Sequence, residues 1–231
     1  MKKVIVMLGL LSVGTSLCQQ TGWFAVQGRQ LVARHIVDTQ LDLVDIQKIN
    51  STILVDIRYA TPNNLAGVPL YSSPICYGRH EVALALDALQ KELITMGLGL
   101  KIWDGFRPMS VQADCYKKFP RFFAQPNVAR AKHPRGTAVD LTLVDGQGNE
   151  LLMPTEFDAL VEQARHEYRG ADITAAAIEN REVLKSLMAK YGFCALAHEW
   201  WHYDFWNWKS YDVIPLSFEE IEAALAHSNK K

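Results

Sequence analysis

Lysine and arginine form no run anywhere in this chain, and no internal repeat, low-complexity tract or long linker breaks residues 19–231. The missing basic run excludes nucleic acid as a partner: 24 basic residues are mixed among 25 acidic ones, for a net charge of −1. The unbroken remainder suits one domain, because 231 residues can bury a single sizeable core. No apolar run is long enough to cross a membrane either. The best one, "VIVMLGLLSVG" after Lys2 and Lys3, falls short of the roughly 20 residues a spanning helix needs. Basic, then apolar, then the small and polar "TSLCQQ" is the order of a secretory signal peptide. Residues 1–18 are therefore expected to be a leader and the protein to be exported, to the periplasm.

Cysteine is scarce too, and none of the four has the spacing of a thiolate zinc site. Cys18 stands where a bacterial lipoprotein carries its lipid, but Leu17 before it is a poor fit, so no lipid anchor is expected. Cys76, Cys115 and Cys194 would remain in the mature chain, where an oxidising compartment permits one disulfide among them. Their simplest role is that of small buried apolar side chains.

What is present is a mixture of helical and strand patterns. "TILVDIRYA" (52–60) alternates as a strand does. Arg79 to Met96 predicts an amphipathic helix with Val82, Leu86, Leu89 and Leu93 on one face, ended by Gly97. "LGLKIW" (98–103) predicts a strand entering the turn "DGFRP", and Ser110 to Lys118 a short helix. "TAVDLTLV" (137–144) predicts a strand, joined through "DGQGN" to another at "ELLM". Helices are expected at 155–168 and 174–191, then an aromatic strand at 193–206. A last helix spans 217–227, with Ser217 and Glu220 spaced as a capping box. The strict βαβ rhythm is absent, so the fold class expected is α+β, a small antiparallel or mixed sheet with helices packed against it.

Within the aromatic strand, "HEWWHYDF" (198–205) matches the H-E-x-x-H of helical zinc peptidases. On a strand its two histidines would lie about 13 Å apart at ~3.3 Å per residue. They could not share an ion held ~2 Å from each nitrogen. "KHPRGTAVDLTL" (132–143) offers other partners: His133 and Asp140 bracket the turn Pro134-Arg135-Gly136, and His202 would complete an open two-imidazole, one-carboxylate set. The alternative at this point is a turn-capping Asp140 with His133 on the surface.

Five blocks in order resemble the VanX-type zinc D-alanyl-D-alanine dipeptidases: "DIRYAT" (56–61), "WDGFRPMSVQ" (103–112), "HPRGTAVDLTL" (133–143), "EFD" (156–158) and "EWWHYDF" (199–205). The resemblance implies a hedgehog-like zinc fold over 19–231 and one Zn²⁺ held by His133, Asp140 and His202. It implies Glu199 as catalytic base and Arg107 as stabiliser of the transition state. Asp158 would hold the substrate's ammonium, with Tyr59 nearby. The substrate implied is D-Ala-D-Ala or a close relative.

This chain departs from the family in one place. Members usually carry Ser two positions before the first histidine ligand, where Ala131 stands between Arg130 and Lys132. A hydroxyl is lost and positive charge is gained. Without the resemblance, Arg107 would read as an ion pair with Asp104, and Asp158 as a first-turn helix carboxylate. Trp200 and Trp201 are expected in the core and pocket wall. Two other functions share these residues: a D,D-carboxypeptidase trimming peptidoglycan stem peptides, and a non-catalytic zinc module that binds the wall.

Overall fold

The structure, a computed structural model, describes residues 36–38 and 42–228 apart from 121, 122, 124 and 128. The expected leader and Cys18 lie outside the described residues. In chain order come β1 (Ile36–Asp38), β2 (Leu43–Asp45), α1 (Ile46–Ile49), β3 (Leu54–Val55), β4 (Tyr77–Arg79), α2 (His80–Thr95) and β5 (Leu98–Asp104). Then follow α3 (Met109–Lys118), β6 (Ala138–Asp145), α4 (Ala175–Lys190), β7 (Phe193–Ala195), β8 (His202–Phe205) and α5 (Phe218–Ser228). A mixed five-stranded sheet in the order β3-β5-β6-β8-β7 forms the centre, and a smaller one joins β1, β2 and β4. The fold is α+β.

Helix α2 forms where the periodicity predicts it. Val82, Leu86, Leu89 and Leu93 are fully buried, and the helix packs on β5. Gly97, at φ +73°, ends it in the left-handed conformation that glycine adopts without steric cost. Strand β6 sits in mid-sheet with both edges paired, to β5 and β8, and its unbroken run of buried residues shows that both faces are covered as well. Alternation directs Val139, Leu141 and Leu143 to one face and Asp140 to the other. The capping box at α5 is reciprocal: the Ser217 amide donates to Glu220 Oε2 at 2.7 Å, and the Glu220 amide to Ser217 Oγ at 3.3 Å.

Four expected elements differ. The strand expected at 52–60 shrinks to β3, followed by a 3-10 turn at Arg58–Ala60, because the Tyr59 carbonyl accepts the Leu70 and Tyr71 amides rather than joining a ladder. The helix expected at 155–168 is irregular, with one 3-10 turn at Glu162–Ala164, since Asp158 takes φ +60°, which no helix contains. "ELLM" adds only a bridge from Glu150 to Val144 and a bond from the Leu151 amide to the Leu143 carbonyl. The strand expected at 193–206 is a hairpin, β7 and β8 joined by a turn over 196–201.

Cys76 and Cys115 are buried free thiols, as small apolar side chains would be, so the disulfide that an oxidising compartment permits joins no two of Cys76, Cys115 and Cys194. Trp200 and Trp201 are 0% and 1% exposed. Among the described residues no helix is long and apolar enough to cross a membrane.

Candidate functional site

The sheet register assembles the site. Asp104 on β5 is paired with Asp140 on β6, which is paired with His202 on β8, so three ionisable side chains line one row across adjacent strands. The row requires an irregularity: the β5–β6 register slips between Ile102 and Asp104, a bulge that re-aims Asp104. His133 arrives from outside the sheet. It opens the 3-10 turn His133–Arg135, closed by Gly136 at φ +71°, and that turn delivers the chain into β6.

His133, Asp140 and His202 present one ligand atom each, all within 4.8 Å of one another and all buried. His133 Nε2 is 3.2 Å from His202 Nδ1, and His202 Nδ1 is 2.9 Å from Asp140 Oδ1. Each imidazole is held from behind. His133 Nδ1 lies 2.7 Å from the Gly105 carbonyl, which only accepts, so the proton sits on Nδ1 and the Nε2 lone pair faces inward. His202 Nε2 lies 2.9 Å from Asp204 Oδ1, so Nδ1 is the ring nitrogen that faces inward. Two inward ring nitrogens and a carboxylate aimed at one point, with the far nitrogens fixed, are the donor set and backing of a metal ion, which would take the place of the Nδ1 proton. The electrostatics agree. Burial disfavours the charged imidazole, yet the bonds to Asp140 and Asp204 outweigh it and raise His202 to about 10. Burial likewise opposes ionisation of Asp140, but His133 and His202 hold it well below the usual carboxylate range. The centre is built around positive charge, and a metal ion fits it.

Arg107 makes the ion pair with Asp104 and also reaches the pocket. Its Nε and one terminal nitrogen reach Asp104 Oδ2 at 2.9 and 2.6 Å, and the other terminal nitrogen reaches Gln112 Oε1 at 2.9 Å. The same guanidinium also stands 3.6 Å from Asp140 Oδ2, lines the pocket, and is stacked 4.9 Å from the Tyr59 ring.

Glu199 sits on the hairpin turn, one hydrogen-bonded loop before β8: the His202 amide donates to the Glu199 carbonyl at 3.3 Å. Three residues apart on one strand, Glu199 and His202 would point to opposite faces, so their spacing requires a bulge or the edge of a strand, and the turn that leads into β8 supplies it. The Glu199 Oε2 oxygen is 3.9 Å from His202 Nδ1. His198, 58% exposed at its side chain, lines the same pocket but is not one of the three converging donors. The span of a strand does not separate it from His202, because 196–201 is a turn.

Around these groups is a pocket of about 470 Å³, walled by Trp201, Phe123, Leu65 and Leu160. Asp158 lines it, with Tyr59 Oη donating at 3.0 Å. Burial first, and the charge of Asp140 second, push the Asp158 carboxyl up to about 7. Of the two extra cations, Lys132 is committed to Asp204 at 2.8 Å, while Arg130 is exposed on the pocket's rim. The sequence singled out neither Asp204 nor Gly105 as a partner of the site. Asp204 had a signal: two residues from His202 on a strand means the same face.

The chain matches the Peptidase_M15 family, described as D-ala-D-ala dipeptidase, over residues 39–215. A D-alanyl-D-alanine dipeptidase of Escherichia coli K12 is 32% identical over 179 residues, covering 77% of this chain and 91% of that protein. Those of Enterococcus faecalis V583 and Streptomyces coelicolor A3(2) are 36% and 33% identical, covering 64% and 70% of this chain and 83% and 90% of their own. The solved structure of the LdcB LD-carboxypeptidase overlays on 66% of this chain and 65% of its own, at 18% identity and a TM-score of 0.38. That likeness is too loose to carry an argument.

Proposed function

The chain belongs to the Peptidase_M15 family of D-Ala-D-Ala dipeptidases, and on that premise we propose that it hydrolyses D-Ala-D-Ala with a zinc ion held by His133, Asp140 and His202. The observation that carries this is the convergence of three buried donor atoms within 4.8 Å, each imidazole backed by its own acceptor. Zinc bound there supplies Lewis acidity, lowering the pKa of a coordinated water toward ~7. The chain's own groups do the rest. Glu199 accepts the proton of the attacking water and returns it to the leaving amine nitrogen. Arg107, clamped by Asp104 and Gln112, keeps a fixed guanidinium beside the carbonyl oxygen as charge gathers on it. Asp158, oriented by Tyr59, pairs with the substrate's ammonium. Trp201 and Phe123 wall the site from bulk water.

A buried carboxyl that awaits a free ammonium favours the dipeptidase over a carboxypeptidase acting on longer stem peptides, whose acylated nitrogen carries no charge there. Comparing free with N-acylated dipeptide separates the two. The test of the chemistry is Glu199→Ala: we expect the purified variant to retain its zinc while turnover of D-Ala-D-Ala falls about 10²- to 10⁴-fold. Undiminished turnover removes Glu199 from the mechanism. We further propose that residues 1–18 direct export, so that the enzyme scavenges wall-turnover dipeptides outside the cytoplasm. Cell fractionation with N-terminal sequencing of the mature chain checks it.

A further inference from the structure

One ion pair beside the metal donors has no part in that chemistry. Lys132 Nζ lies 2.8 Å from Asp204 Oδ2, while Asp204 Oδ1 lies 2.9 Å from His202 Nε2. The two side chains are only 24% and 11% exposed, so water screens their attraction weakly. Their chain positions give the pair a mechanical meaning. Lys132 immediately precedes His133, on the turn outside the sheet, and Asp204 follows His202 on the same face of β8. One ion pair thus closes a bridge between the segment bearing one imidazole and the strand bearing the other. Lys132 is steadied in turn by Trp208, its ammonium 5.5 Å from the ring, on the 3-10 turn after β8. Asp204 cannot swing away from His202 without abandoning a half-buried lysine, and His202 Nδ1 thereby stays turned toward His133 Nε2.

We propose that Lys132 and Asp204 are positioning residues for the metal centre, a strap that sets the tautomer of His202 and its separation from His133. The inference rests on the three-residue donor set and not on the identity of the substrate. Carboxylates behind a metal-bound imidazole typically govern affinity by about 10- to 100-fold.

The test strips the purified chain of metal and titrates zinc back against a competing chromophoric chelator, then records the visible spectrum of the cobalt form. Asp204→Ala is expected to weaken zinc about 10- to 100-fold and to shift the cobalt bands. Asp204→Asn, which keeps an acceptor for Nε2–H but loses the lysine, should fall between it and the parent. Lys132→Ala should weaken zinc by about 10-fold, the lower end of the same range, and Lys132→Arg should restore it. Parent-like affinity and spectra in both alanine variants overturn the proposal. Should Asp204→Ala not fold, Asp204→Asn and the two Lys132 variants decide it by the same criterion. A parent chain that takes up no zinc overturns the donor set itself, a different failure with a different signature.

Discussion

Asp158 is a carboxyl whose ionisation burial and the charge of Asp140 resist, and the role proposed for it at the substrate's ammonium makes that resistance testable. Its protonation midpoint of about 7 means that, below that pH, a neutral acid faces the arriving ammonium. KM for the dipeptide should therefore climb as pH falls below about 7 while kcat moves less, and Asp158→Asn should erase that limb. A charged hydrogen bond contributes ~1.5–3 kcal/mol, so the variant's KM should rise about 10- to 100-fold. A KM unchanged by Asp158→Asn would remove the ammonium from this position. At this scale the sequence was informative for most residues that are themselves donors or acids, because His, Asp and Glu announce their chemistry, although it passed over Asp204. It was silent on Gly105, whose part is played by a backbone carbonyl that every residue carries.

Elements decide where those groups point, and two backbone irregularities do most of it. The turn over 196–201 lifts Glu199 to the end of β8, and the register slip in β5 aims Asp104 at Arg107. The spacing of Glu199 and His202 called for a break of some kind between them, but neither its form as a turn nor the slip in β5 was legible. The sequence of that turn, Leu196 to Trp201, contains no glycine or proline to mark it, and its aromatic content imitates a continuous strand. The segment 155–168 carries a helical pattern of apolar residues that tertiary contacts override: Trp200 Nε1 donates to Thr155 Oγ1 at 2.9 Å, and Asp158 turns left-handed. By contrast α2 and β6 were fully legible, since long periodic segments leave little freedom to their neighbours. The turn after β5 offers a sharp test. A Cβ at Gly105 would stand 2.6 Å from the Tyr77 carbonyl oxygen and 2.8 Å from Cys76 Sγ. Gly105→Ala should cost about 1–3 kcal/mol of stability and displace the carbonyl that holds His133, weakening metal binding as well. Urea unfolding and a zinc titration on the same sample would read both; parent-like values would show that the turn yields freely.

For the molecule as a whole, stability should respond to acid through a residue that takes no part in the chemistry. His166 is 4% exposed, neither ring nitrogen has a hydrogen-bond partner, and it packs edge-on against Tyr203. Burial, then Lys185, Arg181 and Arg169, lower it to about 3. An unfolded chain takes up that proton near pH 6.5, whereas the folded one refuses it until about 3. Folding stability from this group is therefore whole above about pH 6.5 and declines by up to about 1.4 kcal/mol per unit below it. Asp140 and Asp204, held below the usual range, add their own losses only below about pH 4. Between pH 6 and 5 protonation of the folded Asp158 carboxyl offsets this loss, so the urea midpoint should change little in the parent and rise in His166→Phe; an equal slope in both would acquit His166. Metal should act in the opposite direction, zinc at 100 times its Kd adding about 2.7 kcal/mol, so a chelator should lower Tm.

From its residues alone the chain determined which groups could carry the chemistry, the family it belongs to, and the α+β class with its longest helix and central strand. These follow from side-chain identity and from periodicities that neighbouring residues enforce on one another. Only the tertiary structure decided how Glu199 reaches the site, that Lys132 is committed to Asp204, and that Arg107 serves an ion pair and the pocket at once. Those are facts of register and of turns, set by contacts between segments tens of residues apart, and no local pattern encodes a distance across a sheet.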